Sequence, residues 1–438
     1  MKLNPKAIRY LTNEDWRVLT GVETGSRNHE VVPTPLITQL CGLRGGSGVH
    51  KCISNLAKVN LIAKVKNAKY DGYRLTYGGL DYLALNTHRK SGNAYSLGNQ
   101  IGVGKESDIY VVASEDGRTC VLKLHRLGRI SFRTVKANRD YLRNRSTGSW
   151  MYLSRLAAMK EYAFMQVLRR EGFPVPEPVG QSRHTIVMEF IDAFPLRQID
   201  SVPEPAKLYA ELMDMIVRLA QVGLIHGDFN EFNLLIKEST TQDGQTVLSP
   251  ILIDFPQMLS TTHANAEFYF DRDVACIKRF FLRRFKFEAD EPGPFFAEAM
   301  KGSDKTKRLD VEVEATGFNK KMAKELDKYI ESIGRGDEVE DDSVRAASAQ
   351  GDTEEVEEDH SAGEVVNQQE LDSHDADHAD PIGEDEVPEE EEPTADMSDW
   401  RSSSSKAFAF EPLGFSDDTN AGVSQKPHAG KKATGWAI

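Results

Sequence analysis

The string His226-Gly227-Asp228-Phe229-Asn230-Glu231-Phe232-Asn233-Leu234-Leu235-Ile236, followed after a polar loop by Ile251-Leu252-Ile253-Asp254-Phe255, constrains this chain more than any other part of it. Asp228 and Asn233 stand five residues apart. That spacing matches a phosphotransferase catalytic loop, in which the Asp accepts or orients the nucleophile's proton and the Asn holds a metal on nucleotide phosphates. Asp254 ends an apolar strand beside Phe255, where a second carboxylate can meet the same metal. Mg²⁺ takes octahedral oxygen ligands and keeps water and phosphate in its shell, so one Asn and one Asp are an adequate protein contribution. The bland alternative is a pair of capped turns between buried strands, and the three pieces together argue against it.

Upstream, Lys123 lies mid-strand in Val121-Leu122-Lys123-Leu124, where a charged side chain is costly to bury without a partner. Glu161, one turn after Ala157 on a helix with apolar residues at Leu153, Leu156, Phe164, Val167 and Leu168, can orient Lys123 toward α- and β-phosphates. Gly102, Gly104 and Ser107, with Lys105 between them, form a phosphate cover bounded by the strands Gln100-Ile101 and Ile109-Tyr110-Val111-Val112. It lacks a third glycine and gains its force from position, shortly before Lys123. Met188-Glu189-Phe190-Ile191 closes the strand starting at Thr185 and reads as a hinge, with backbone groups of Glu189 and Ile191 facing adenine. The expected nucleotide contacts are therefore Gly102, Gly104, Lys105, Ser107, Lys123, Glu161, Met188, Glu189 and Ile191. Asp228 and Asp254 are the expected catalytic residues, and Asn233 and Asp254 the expected metal ligands.

With 438 residues the chain has room for two or three domains. Its formal net charge of −14 conceals an asymmetry, because Asp337 to Asp399 holds 26 acidic residues and one basic residue, Arg345, and the remainder carries +11. That acidic stretch contains no Phe, Tyr or Trp and cannot offset its ordering entropy by burial, so residues 333–438 are expected to be a disordered acidic tail. Phe408, Phe410, Phe415 and Trp436 sit near its end and are expected in flexible peptide rather than docked.

Residues 1–95 read as three helices followed by a hairpin, a winged helix-turn-helix: Glu14 to Gly25, Pro35 to Gly42, a third helix opened by Ser47, then strands Ile62 to Lys66 and Tyr73 to Thr76. Residues 1–97 carry 14 basic and 6 acidic side chains, with Arg44, Lys51 and Lys58 at the third helix and Lys64, Lys66, Lys69 and Arg74 on the wing, which suits a nucleic-acid partner. Residues 96–332 run from strand-rich to helix-rich, the order of a bilobal α+β domain. Cys41, Cys52, Cys120 and Cys276 lie far apart, as buried thiols in a reducing compartment would. No apolar run has membrane-spanning length, so a soluble intracellular protein without a membrane partner is expected.

The strings Gly102 to Tyr110, Leu122 to Arg129, Leu224 to Asn233, Ile253 to Gln257 and Asn265 to Val274 closely resemble the RIO family of atypical serine/threonine protein kinases. The preceding winged helix resembles that of the second RIO subfamily. The resemblance spans roughly residues 1–330 and implies a bilobal fold, ATP with Mg²⁺, and participation in late maturation of the small ribosomal subunit, in the cytoplasm with passage through the nucleus left open. Expected partners are the small-subunit precursor, its RNA and other assembly factors, the RNA being met through the winged helix and the connector 125–150. That connector holds Arg126, Arg129, Arg133, Lys136, Arg139, Arg143 and Arg145 against one acid, Asp140.

Two departures from ordinary kinases matter. The catalytic loop reads His-Gly-Asp rather than His-Arg-Asp, and Asp254-Phe255-Pro256 is followed by no Ala-Pro-Glu, so neither a phosphorylated activation loop nor a peptide platform is expected. Three functions remain open: a protein kinase acting on a ribosomal or assembly-factor protein, an ATPase whose turnover gates release from the precursor, and an RNA-binding assembly factor with a structural nucleotide site. Lys123, Asp228, Asn233 and Asp254 speak against the third, and the missing platform favours the ATPase. Water oriented by Asp228 is the first candidate acceptor, with Asp254 itself as the second.

Overall fold

The computed structural model describes residues 3–43, 46–65, 71–104, 106–127, 148–240, 246–302, 308–315, 322–323, 326 and 410–413. Arg44, Lys66, Lys69, Lys105, connector residues 128–147 and the acidic stretch 337–399 lie outside the described residues.

The N-terminal region begins with a 3₁₀ turn, Pro5–Tyr10, and helix α1, Asn13–Gly25. A capping box starts α1: Thr12 Oγ1 accepts from Asp15 N while Asp15 Oδ2 accepts from Thr12 N. Strand β1 (Val32–Pro33) leads to α2 (Thr34–Cys41), closed by Gly42 at φ 60°, and then to α3 (Gly46–Lys58). Strands β2 (Ile62–Val65) and β3 (Gly72–Leu75) form the wing, with sheet order β1-β3-β2.

Helix α4 (Tyr77–Lys90) was not marked by periodicity, since Gly78, Gly79, Asn86 and Thr87 are poor helix formers. Tertiary contact overrides that propensity. A Cβ on Gly79 would lie 2.2 Å from the Leu61 carbonyl oxygen, so the glycine lets α4 press against the start of the wing. Gly79→Ala should therefore destabilise the chain by about 2–3 kcal/mol, the cost of forcing backbone apart, rather than stabilise it as helix propensity alone predicts. Chemical denaturation of the variant decides between these signs.

The small lobe is an antiparallel sheet in the order β14-β4-β5-β6-β8-β7. Its strands are β4 (Ser96–Val103), β5 (Ser107–Ala113), β6 (Thr119–His125), β7 (Pro178–Ser182) and β8 (Thr185–Glu189), and helix α5 (Gly148–Arg170) packs on it. At residues 410–413 the edge strand β14 (Glu411–Pro412) corrects the expectation of flexible peptide, while Phe408, Phe415 and Trp436 lie outside the described residues. Leu413 is 2% exposed, and burial of that side chain offsets ordering of a short strand.

The large lobe joins β9 (Phe194–Pro195), α6 (Pro205–Gln221), β10 (Leu224–Ile225), β11 (Leu234–Thr240), β12 (Thr246–Leu252), β13 (Leu259–Ser260), α7 (Ala266–Phe285), α8 (Phe296–Lys301) and α9 (Leu309–Ala315). One core fills this lobe around Leu212, Ile216, Phe229, Phe255, Phe270 and Phe281. A second runs without a break from Ile8, Trp16 and Leu19 through Leu97 and Tyr110 to Leu122 and Leu124, so the winged helix and the small lobe share a core. Cys41, Cys52 and Cys120 are buried and Cys276 half-buried, all as free thiols. Among the described residues no helix is long and apolar enough to cross a membrane.

Candidate active site

The two halves of the site meet through the hairpin β11–β12. Its register pairs Leu234 with Leu252, and Ile253 N donates to Asn233 O at 3.0 Å, which seats Asp254 beside the end of the 226–233 loop. Asp254 adopts φ 71°, a left-handed conformation that costs a non-glycine residue energy and turns its carboxylate out of the strand toward β6. There Lys123 Nζ donates to Asp254 Oδ1 at 2.8 Å and to Glu161 Oε1 at 2.8 Å. Burial alone would lower the Lys123 pKa; the charges of Asp254 and Glu161 outweigh it and hold the ammonium above its usual range. Burial would likewise raise Glu161, but Lys123 and then His125 bring it down to about 2. Lys123 and Glu161 each hold their partner in the charged form.

The catalytic loop is held from below. Asp273 on α7 accepts from Gly227 N at 2.8 Å and Phe229 N at 2.9 Å, and Arg272 donates to the Gly227 carbonyl. Gly227 sits at φ 78° with space for no side chain, since a Cβ would come within 2.9 Å of Gln257 O. His226 is buried edge-on to Phe229 and Phe255, and burial pushes its pKa down to about 4, which leaves it a neutral packing residue. Asp228 accepts from Asn230 Nδ2 at 2.9 Å and from Asn233 Nδ2 at 2.9 Å. Its pKa is pushed up to about 6, first by burial and then by the charge of Asp254, against those amide donors and Arg272.

Asn233 Nδ2 donates both to the Asp228 backbone oxygen and to its carboxylate, leaving Oδ1 of the same amide as an oxygen ligand. Together with the Asp254 carboxylate, 41% exposed, this is a hard-oxygen donor pair of the kind Mg²⁺ takes when phosphates and water complete its shell. Among the described residues no cluster of three or more His, Cys, Asp or Glu could hold a metal by itself.

The glycine loop lies at the open end of the small-lobe sheet. Gly102 pairs with Ile109, Gly104 N donates to Ser107 O at 2.8 Å, and neither glycine has positive φ; a Cβ on Gly102 would come within 3.3 Å of the Ile109 side chain. Lys105, inside the loop, lies outside the described residues. At the hinge Met188 is buried, and Glu189 N donates to Glu177 O at 2.9 Å.

Three functional groups have no forecast from the sequence: Asn230, the Arg272–Asp273 pair, and His125, whose Nε2 lies 2.8 Å from Glu161 Oε2. His125 was legible in principle, standing two residues after Lys123 on the same strand face. On the winged helix, α3 exposes His50, Lys51, Ser54 and Lys58, whereas Lys64 and Arg74 pair with Asp71 and Glu30.

A family model described as "RIO domain" matches residues 108–292, and one described as "Rio2, N-terminal" matches residues 8–91. The serine/threonine-protein kinase rio2 of Schizosaccharomyces pombe is 57% identical over 329 residues, covering 75% of this chain and 92% of that one. The chain belongs to the RIO kinases, in their Rio2 group. RIO2 of Saccharomyces cerevisiae is 47% identical over 382 residues, covering 82% of this chain and 89% of its own length. The crystal structure of a Rio2 kinase–ADP/Mg²⁺–phosphoaspartate complex from Chaetomium thermophilum is similar at TM-score 0.72 and 64% identity, covering 76% of this chain and 100% of that one. The RIO match includes Lys123, Glu161, Asp228, Asn233, Asp254 and Asp273, and begins after the glycine loop.

Proposed function

We propose that this RIO kinase binds ATP with Mg²⁺ in the cleft between Lys123 and Asp228 and runs chiefly as an ATPase. The observation that carries this is the convergence of Lys123, Glu161 and Asp254 on one ion-paired cluster with Asn233 and Asp228 beside it. Lys123 would meet the α- and β-phosphates, Asn233 and Asp254 would hold Mg²⁺, which neutralises developing phosphate charge, and the Gly102–Ser107 turn would cover the triphosphate.

The Chaetomium relative's phosphoaspartate supports an aspartate as first acceptor. Of the two here Asp254 is the freer, because both Asp228 oxygens accept amide N–H bonds. An Asp254 oxygen would form a bond to the γ-phosphorus while the bond to the β-bridging oxygen breaks and ADP leaves. Water then adds to that phosphorus, its proton passing to Asp228, and the acyl phosphate P–O bond breaks to return Asp254 and inorganic phosphate. In this reading turnover times the release of the protein from a small-ribosomal-subunit precursor, whose RNA meets the exposed basic face of α3.

Single-turnover reactions with γ-labelled ATP, with and without purified precursor, test this. Hydroxylamine-labile label on the protein, decaying to phosphate faster when precursor is present, is the expected result. Stable phosphoserine on an added ribosomal protein, formed faster than phosphate is released, would make the protein a conventional kinase.

The raised pKa of Asp228 adds a pH signature. As proton acceptor it must be ionised, so turnover should rise through about pH 6 and level off above pH 7. Below the inflection the rate should fall about tenfold per pH unit. A rate constant flat between pH 5 and 8 would remove Asp228 from that role.

A further inference from the structure

The small-lobe sheet ends at β4, which is irregular: its register with β5 shifts between Leu97 and Gln100 and again between Gln100 and Gly102. An exposed edge of this kind invites pairing with another strand. Here the edge is covered by the chain's own C-terminal region, with Glu411 opposite Leu97 and Pro412 opposite Ser96. Leu413 N donates to Tyr95 O at 2.9 Å.

The contacts reach beyond the sheet. Arg9, on the 3₁₀ turn of the winged helix, donates from Nε to Pro412 O at 3.0 Å and stands 3.9 Å from Glu411 Oε2. Leu413 enters the core shared by Leu3, Ile8, Leu11 and Leu97, at the seam between winged helix and small lobe. Gly98 makes room for Phe410, since a Cβ there would come within 3.2 Å of that ring. Pro412 offers no N–H to a further strand, so the added strand also terminates the sheet.

We propose that Phe410-Glu411-Pro412-Leu413 is an intramolecular docking strand, and that the β4 edge with Arg9 is its receptor, specific for an extended segment with an acidic residue, then proline, then a buried leucine. Main-chain pairing supplies the affinity, and the Leu413 pocket, the Gly98 gap and Arg9 supply the choice of sequence. The occupant is this chain's own segment, because the link is covalent and occupancy is then independent of protein concentration. Leu326 is fully buried against Leu127, Leu156 and Ala157, so the acidic residues 337–399 are bounded on both sides by chain that belongs to the folded body. The strand clamps the winged helix to the lobe that carries the glycine turn.

Hydrogen exchange on the full-length protein and on its Leu413→Asp and Arg9→Ala variants tests the clamp without reference to nucleotide chemistry. In the unaltered protein the Leu413 amide should exchange at least tenfold more slowly than an unstructured one. Leu413→Asp should abolish that protection and raise exchange in residues 5–10, while leaving the amides of α6 and α7 unchanged. Arg9→Ala should reduce the protection in part. A synthetic peptide spanning residues 406–417 should restore slow exchange in residues 5–10 of Leu413→Asp. Intrinsic exchange at Leu413 in the unaltered protein, or exchange in residues 5–10 that Leu413→Asp leaves unmoved, would overturn the proposal. Protection that grows with protein concentration would assign the strand to a second copy and overturn the intramolecular assignment.

Discussion

Asp228→Asn should cut steady-state ATP turnover by about 10²–10⁴-fold while changing ATP affinity little, and should trap label on the protein. The reason lies in what each step needs. Attack by a carboxylate on the γ-phosphorus releases no proton, so the first transfer to Asp254 has no use for a base. Attack by water does release one, and Asp228 is the half-buried carboxylate, held by Asn230 and Asn233, that would receive it. An asparagine keeps the shape but only one accepting oxygen, so one of the two amide bonds to the loop is lost. Asp254→Ala should behave differently: it removes the partner of Lys123 and, on the proposed reading, a metal ligand and the acceptor as well, so Mg²⁺-dependent binding and all protein-bound label should be lost. Equal loss of ATP affinity in both variants would contradict this division. Unlabelled Asp228→Asn protein with normal affinity would remove the covalent step and return water to the place of first acceptor.

The site was legible in the sequence because its chemistry is written in short local strings. Asp228 and Asn233 share one loop, and Asp254 ends the strand that pairs with the segment following that loop, so a hairpin register suffices to join them. Lys123 and Glu161 are 38 residues apart, but a lysine inside an apolar strand announces that it has an anion to meet. What stayed hidden was whatever depends on close approach between distant segments. Helix α4 is one case: Gly79 weakens it locally and is required by Leu61. The docking strand is another, since four residues after a long acidic run have no periodicity of their own and acquire meaning only beside β4. Asp273 is a third, because a carboxylate in the middle of a helix reads as solvated until the Gly227 and Phe229 amides are found in front of it.

Arg126 shows the same blindness with the largest expected effect on stability. In the sequence it is the first of a run of basic residues suited to RNA, but in the structure it is 6% exposed and faces inward. Its Nη1 and Nη2 each donate to the Asp81 carboxylate at 2.7 Å and its Nε donates to Asp108 at 3.2 Å, while His184 Nε2 lies 2.9 Å from Asp81. Asp81 belongs to α4 of the winged helix and Asp108 to β5 of the small lobe, so one guanidinium fork holds two domains by their buried carboxylates. Burial would raise the Asp81 pKa, yet His184 and Arg126 keep it below the usual carboxylate range. By linkage, the stability this contributes is present above the ordinary carboxylate pKa and is lost as pH falls below it. Arg126→Met fills similar space and leaves two carboxylates buried without their cation, which should cost about 3–5 kcal/mol. The paired change Arg126→Met with Asp81→Asn should cost less than the sum of the two single changes, because it removes charge from both sides. Thermal unfolding of Arg126→Met should fall by several degrees or split into two transitions as the winged helix uncouples. Melting within a degree of the unaltered protein would show that the shared apolar core alone joins the domains.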